Sequence, residues 1–311
     1  MKRPNFFIVG APKCGTTSLT AYLLQHPDVY MPGRWEMNYL ATDLDWENGP
    51  VIDSDEEYFG QFEPADGHDR IGEKSAFYLY SSVAAERIAE INPDAKIICM
   101  LRDPVELLWS MHRYNVQNLE EDIIPFSEAL AAEEDRRQGR RIPETTTIIQ
   151  NLYYRKIVRF PRQIKRYFDT FGRDQVHTVF FEDFASQTSR EYRKVLSFLD
   201  LSPHTPETFE AENQGQKRGF YALTLRRWLL QWPLLKRATD TLVPEKLRDQ
   251  IARIWNNLRG GVDSRLTQMD PALRLSLKRE MTPMILSLED VIGRDLSHWR
   301  HEEDLTTNAS E

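Results

Sequence analysis

Residues Phe6–Leu23 read FFIVGAPKCGTTSLTAYL, and this stretch decides the fold. Asn5–Val9 is a short apolar run rich in Phe, Ile and Val, the composition of a buried strand. Gly10–Gly15 follows as a turn-rich loop. From Thr16 the period becomes helical: Leu19, Leu23 and Leu24 fall on one face, and His26-Pro27 stops the run. A strand, a glycine-bearing loop and a helix start, in that order, form an anion-binding α/β unit. Glycines let backbone N–H groups approach an anion, and the helix start adds unpaired donors.

Outward from this unit the α/β alternation continues. Ile71–Ala76 reads as a strand end, and Val83–Ile91 as a helix. Lys96–Leu101 is the clearest interior strand, because its apolar residues run without interruption. Asp103-Pro104 ends that strand and opens a helix over Val105–Tyr114. Asp55–Phe62 reads as a short helix and Glu128–Arg141 as a charged, solvated one. Leu152–Phe171 is long and amphipathic, with Pro161 placed to kink or divide it. Val176–Phe181 is a further strand and Arg190–Leu199 a helix. From Ser202 the strand signal stops, and helical patterns lie near 223–237, 244–258 and 271–292. The expected fold is α/β: a P-loop-like, mostly parallel central sheet flanked by helices, with a helical C-terminal portion. One domain over residues 1–299 is expected, with an α/β core at about 5–200, a mainly helical part at about 201–299 and a flexible tail at 300–311.

The formal net charge of −8 argues against a general nucleic-acid binder. The two cysteines, Cys14 and Cys99, have no metal-ligand spacing and indicate no disulfide framework. The apolar run at Phe6–Val9 is too short for a signal-peptide core, and no stretch approaches a membrane span. A cytoplasmic location is therefore expected. Oligomeric state is not legible.

Two segments carry chemistry. In GAPKCGTTSL, Gly10–Leu19, the hydroxyls of Thr16, Thr17 and Ser18 add donors and Lys13 adds a charge. The spacing departs from the nucleotide-triphosphatase loop, in which lysine directly follows the last glycine; here Gly15 is followed by Thr16. A solvated surface turn is the competing reading of this loop. In LRDPVELLWS, Leu101–Ser110, Arg102 stands at the carboxyl end of the interior strand, where open α/β sheets bind ligands. Its fork suits a phosphate, and Ser110 lies two helical turns further on. A surface ion pair is the alternative for Arg102.

Together these segments resemble the PAPS-dependent sulfotransferases, in the branch that includes glycosaminoglycan sulfotransferases and many bacterial relatives. PAPS is 3'-phosphoadenosine 5'-phosphosulfate, and PAP is its desulfated product. The resemblance implies that the first loop, including Lys13, Cys14, Gly15, Thr16, Thr17 and Ser18, binds the 5'-phosphosulfate, and that Arg102 and Ser110 bind the 3'-phosphate. PGRWEMNYL, Pro32–Leu40, is similar to the segment bearing the catalytic glutamate, here Glu36. GEKSAFYLY, Gly72–Tyr80, resembles the E-K-[ST] segment and makes Lys74 a second active-site lysine. Tyr153 falls in a matching helix. QKRGFYAL, Gln216–Leu223, looks like a late basic loop over the 3'-phosphate and implicates Lys217, Arg218 and Gly219. The ending Val291–Trp299 is also similar to the family's. Asn38 and Ala41 stand where glycosaminoglycan enzymes often carry histidine and aspartate, and Ala222 where many carry cysteine. These departures bear on the acceptor.

The reaction this implies is in-line transfer to a hydroxyl or amine of a small-molecule, lipid or glycan acceptor. Glu36 is the base, and Lys13 and Lys74 stabilise the leaving phosphate oxygen. A sulfuryl group carries less charge than a phosphoryl group, so no metal is expected. The alternatives are a P-loop nucleotide-dependent kinase and a nucleotide-binding module without catalysis. His26 is read as a helix terminator, and His112 as part of a solvated helix face or else as a group that approaches the site from the helix after Arg102. Asp43 to Glu57 is an acidic solvated edge. Arg226–Arg237 is a core helix with snorkelling ends, or else a surface for a membrane or a greasy acceptor.

Overall fold

The structure, a computed structural model, describes residues 2–33, 35–46, 52–209 and 266–300. The expected late basic loop, the helices near 223–237 and 244–258, and the tail beyond Arg300 lie outside the described residues.

In chain order the elements are β1 (Phe6–Gly10), α1 (Thr16–Leu23), β2 (Val29–Tyr30), α2 (Asp55–Gly60), β3 (Arg70–Lys74), α3 (Ala84–Ile91), β4 (Lys96–Leu101), α4 (Pro104–Gln117), α5 (Phe126–Ala131), α6 (Glu133–Arg137), α7 (Tyr154–Ile157), α8 (Phe160–Phe171), β5 (Val176–Phe180), α9 (Phe181–Ser186) and α10 (Thr188–Phe198). A longer helix, Pro271–Ile292, closes the described part of the chain and packs on α4 and α8. The strands form one sheet in the order β2-β3-β1-β4-β5, and every pairing is parallel.

Burial on both faces explains the unbroken apolar strands. All of β1 is buried, and Ile97 through Leu101 in β4 are 0% exposed. The sheet order also locates the site. The chain builds β2 and β3 on one side of β1 and then crosses to build β4 and β5 on the other. The strand order reverses at β1, and ligands of open α/β sheets bind outside the carboxyl ends at such a point.

Several local expectations change. The edge strand β2 has two residues, paired Val29 to Arg70 and Tyr30 to Ile71, too few to show a period. Pro161 divides the long amphipathic stretch rather than kinking it. It sits in the first turn of α8, where a missing N–H costs nothing. The charged run at 128–141 is not one solvated helix. It breaks into α5 and α6, and Arg136 is 0% exposed, with Nη2 donating to both oxygens of Glu121 at 2.7 Å. Charge density hid a buried, doubly hydrogen-bonded ion pair. His112 is likewise not on a solvated face. It is 0% exposed, with Nε2 2.9 Å from the Ile124 carbonyl and Nδ1 3.2 Å from the Tyr154 hydroxyl, and burial lowers its pKa to about 4. His26 does end α1, and it is also buried: Asp28 N–H donates to its Nδ1, and its Nε2 lies 3.0 Å from the Ser202 carbonyl.

Candidate active site

The site is assembled where β1, β3 and β4 end side by side. Gly10 closes β1 at φ +133°, and a Cβ there would lie 2.1 Å from the Ala76 carbonyl oxygen. Only glycine lets the segment after β3 approach this closely. The backbone then stitches the ends together. Ser75 N–H donates to Ile8 O at 3.1 Å, and Ala11 N–H donates to Met100 O at 2.6 Å.

Beyond this junction Lys13 (φ +62°) and Gly15 (φ +87°) both adopt left-handed backbone, which curls the loop back on itself. Gly15 is the N-cap of α1 and supplies no side-chain cap, and no acid lies in the first turn. The amides of Thr16 and Thr17 therefore have no intrahelical acceptor, and the positive end of the helix is not neutralised locally.

Cationic side chains converge on this loop. Arg102, one residue past β4, donates from Nη1 to the Lys13 carbonyl at 3.2 Å, and its Cζ lies 4.4 Å from the Phe181 ring centroid. Lys13 Nζ lies 4.3 Å from the ring centroid of Tyr114 on α4. Burial first, and then the Arg102 charge, lower the pKa of the Lys13 ammonium. Arg113 acts in the same direction. Ser110 is half-buried on α4; it stands three and four residues before Arg113 and Tyr114 and so shares their face of the helix.

The carboxyl end of β3 holds the acid. Lys74, 4% exposed overall, places Nζ 2.9 Å from Glu36 Oε1, and the Ala76 amide donates to Glu36 Oε2 at 3.2 Å. Both oxygens of Glu36 are thus aimed by the end of one strand. The Glu36 charge also acts on Lys13, so the acid and the loop share one electrostatic field. A cationic, donor-rich loop beside an oriented carboxylate suits transfer of an anionic group to a nucleophile that must lose a proton.

Residues 3–215 match the family described as the sulfotransferase domain. This chain belongs to the sulfotransferase family. The crystal structure of a sulfotransferase from Alicyclobacillus acidocaldarius superposes with a TM-score of 0.69 at 31% identity, covering 97% of this chain and 100% of that one. The membrane-associated sulfotransferase kil1 of Dictyostelium discoideum is 32% identical over 126 residues, 39% of this chain and 25% of that protein. The bifunctional heparan sulfate N-deacetylase/N-sulfotransferase 4 of Mus musculus is 27% identical over 227 residues, 71% of this chain and 25% of that protein. The chain therefore matches about a quarter of the length of these two relatives.

The remaining expected residues fall in different places. Cys14 is buried, its thiol donates to the Pro12 carbonyl, and burial raises its pKa; what it offers the loop is backbone. Tyr153 is not inside a helix. It joins a single 3-10 turn, Ile149–Leu152, to α7, and its contacts are with the Arg136 carbonyl and the Lys156 ammonium rather than with Lys13 or Arg102. Lys217, Arg218 and Gly219 lie outside the described residues. Among the described residues no group of three or more His, Cys, Asp or Glu is placed to hold a metal ion, and no helix is long and apolar enough to cross a membrane.

The sequence reading missed Tyr114, Arg113 and Phe181. A usable signal existed for two of them: Tyr114 follows Ser110 by one helical turn, and Phe181 directly follows β5 at the ligand-binding edge of the sheet. It also passed over Glu73, whose hydroxyl partners Ser75 and Tyr78 carry its contacts on to Asn38 and Leu40, distant in sequence.

Proposed function

We propose that this protein transfers the sulfuryl group of PAPS to a hydroxyl or amine, leaving PAP. The observation that carries this reading is the oriented Lys74–Glu36 pair, 2.9 Å apart, set beside the Lys13 loop at adjoining strand ends.

In this reading the Lys13–Ser18 loop holds the 5' end of the donor, and Arg102 and Ser110 hold its 3'-phosphate. Binding energy far from sulfur thereby orients the reacting group. Glu36 takes the proton as the acceptor oxygen or nitrogen bonds to sulfur. The sulfur–oxygen bond to the phosphate breaks, and its electron pair goes to the phosphate oxygen, where Lys13 and Lys74 offset the charge. Tyr153, Lys217, Arg218 and Gly219 complete the set of donor-binding residues. The reaction needs no metal, and the enzyme works in the cytoplasm on a carbohydrate, lipid or secondary metabolite.

The test is a panel of hydroxyl and amine acceptors, a glycan amine among them, incubated with radiolabelled PAPS in buffer and in excess chelator, with ATP and magnesium in parallel. Label should move from PAPS to an acceptor, equally with chelator present. Transfer only from ATP with magnesium would identify a kinase. PAP binding without transfer to any acceptor would identify a non-catalytic module.

A further inference from the structure

Glu73 is the penultimate residue of β3 and is 1% exposed. At that burial it touches no acceptor, yet its carboxylate is the hub of a network that ends on the loop bearing Glu36. Oε1 accepts from Ser75 Oγ at 2.9 Å and from the Tyr78 hydroxyl at 2.6 Å, and Oε2 accepts from the Tyr58 hydroxyl.

A hydroxyl has one proton to give. Ser75 and Tyr78 give theirs to Glu73, so their lone pairs are left to accept from elsewhere. Ser75 Oγ accepts from the Asn38 amide at 2.9 Å, and the Tyr78 hydroxyl accepts from the Leu40 amide at 3.1 Å. Between them the Tyr39 ring stacks on Tyr58 with centroids 4.6 Å apart, and Tyr58 is the third group on Glu73. Three consecutive loop residues are therefore tied to one buried carboxyl group. Residues 35–40 form no regular helix or strand, so no ladder of their own holds them.

We infer that Glu73 is a positioning residue for Glu36, acting through Ser75, Tyr78 and Tyr58 on the backbone of residues 38–40. The inference rests on the proposed role of Glu36 as the base. Glu73 supplies an acceptor oxygen; it does not react.

The experiment compares Glu73→Leu with Glu73→Gln, whose carbonyl can still accept from the Ser75 and Tyr78 hydroxyls. Three readouts are taken: amide exchange in the 35–41 peptide, kcat, and PAP affinity by calorimetry. In Glu73→Leu the peptide should exchange faster and kcat should fall on the order of 100-fold, the usual cost of an ångström-scale misplacement. PAP affinity should fall far less than kcat, because apart from Lys74 the proposed phosphate ligands stand on other elements. Glu73→Gln should recover most of the protection and of kcat. If Glu73→Leu does not fold, Ser75→Ala should release the Asn38 amide alone and Tyr78→Phe the Leu40 amide alone. A folded Glu73→Leu protein whose loop exchanges as slowly as wild type overturns the inference, as does Glu73→Gln as damaged as Glu73→Leu. Glu36→Gln is assayed alongside. Full turnover there removes Glu36 as base, while the exchange data still judge the tether separately.

Discussion

Lys74 Nζ lies 2.9 Å from Glu36 Oε1, and the two side chains are unequally buried: 3% of the lysine is exposed and 30% of the glutamate. A buried ammonium depends on its partner more than a carboxylate that water can reach. Glu36→Leu should therefore lower thermal stability more than Lys74→Met does. Equal losses in melting temperature would show that the pair contributes nothing through burial.

Turnover should discriminate differently. Glu36→Gln keeps an oxygen for Lys74 but loses the proposed base, so kcat should fall by roughly 10²–10⁴-fold while PAP binding persists. Near-normal turnover would reject Glu36 as the proton acceptor.

Arg102 reaches the site in two ways, through its guanidinium charge and through its bond to the Lys13 carbonyl. Arg102→Ala should weaken PAP binding by about 10- to 100-fold, the worth of one or two charge-assisted hydrogen bonds. Calorimetry with PAP measures this directly. Unchanged affinity would exclude Arg102 from the phosphate site.

The two loop glycines should fail by different routes. At Gly10 an added Cβ would meet backbone at 2.1 Å, so Gly10→Ala should not yield folded protein. At Gly15 the Cβ would lie 3.2 Å from a Phe181 ring carbon, a contact that can give way, and the cost is chiefly the left-handed backbone at φ +87°. Gly15→Ala should fold with a loss of about 1–2 kcal/mol, read from thermal melts, and bind PAP more weakly.

Glu73 also makes stability depend on pH. Burial raises its carboxyl from the ordinary 4.5 to about 7, against the lowering effect of its hydroxyl partners. Between those values the folded protein holds a proton that the unfolded chain has released. The resulting stabilisation is complete below pH 4.5 and is lost as pH rises through 7. Glu73→Gln lacks this titration. The stability of wild type relative to Glu73→Gln should therefore fall between pH 5 and pH 8, by on the order of a few kcal/mol. Asp103, whose carboxyl burial raises to about 6, titrates in both proteins and drops out of the difference. A difference flat across this range would show that Glu73 does not change protonation.

Chain-local physics made much of this legible. β1 and β4 announce themselves because strands covered on both faces must be apolar throughout. The loop and Arg102 could be placed without tertiary information, because glycines before a helix start and a residue just past an interior strand have positions set by the strand itself. Glu36 and Lys74 had no such local signature. An acid in an irregular loop and a lysine at a strand end are ordinary, and only family resemblance singled them out. The burial of His112 and of Arg136 escaped for the same reason: polarity describes what a residue would prefer in water, not which partners the fold brings to it.

By itself, then, the amino-acid order determined the α/β class, the glycine-bearing turn and the cation after β4, since each follows from periodicity and backbone freedom within about twenty residues. The fold alone decided that β3 and β4 flank β1. That choice joins Lys74 to Glu36 across 38 residues, lays Tyr114 on Lys13, and hangs the Glu36 loop from Glu73. Pairings of this kind depend on which strand ends adjoin, and hydropathy carries no record of that.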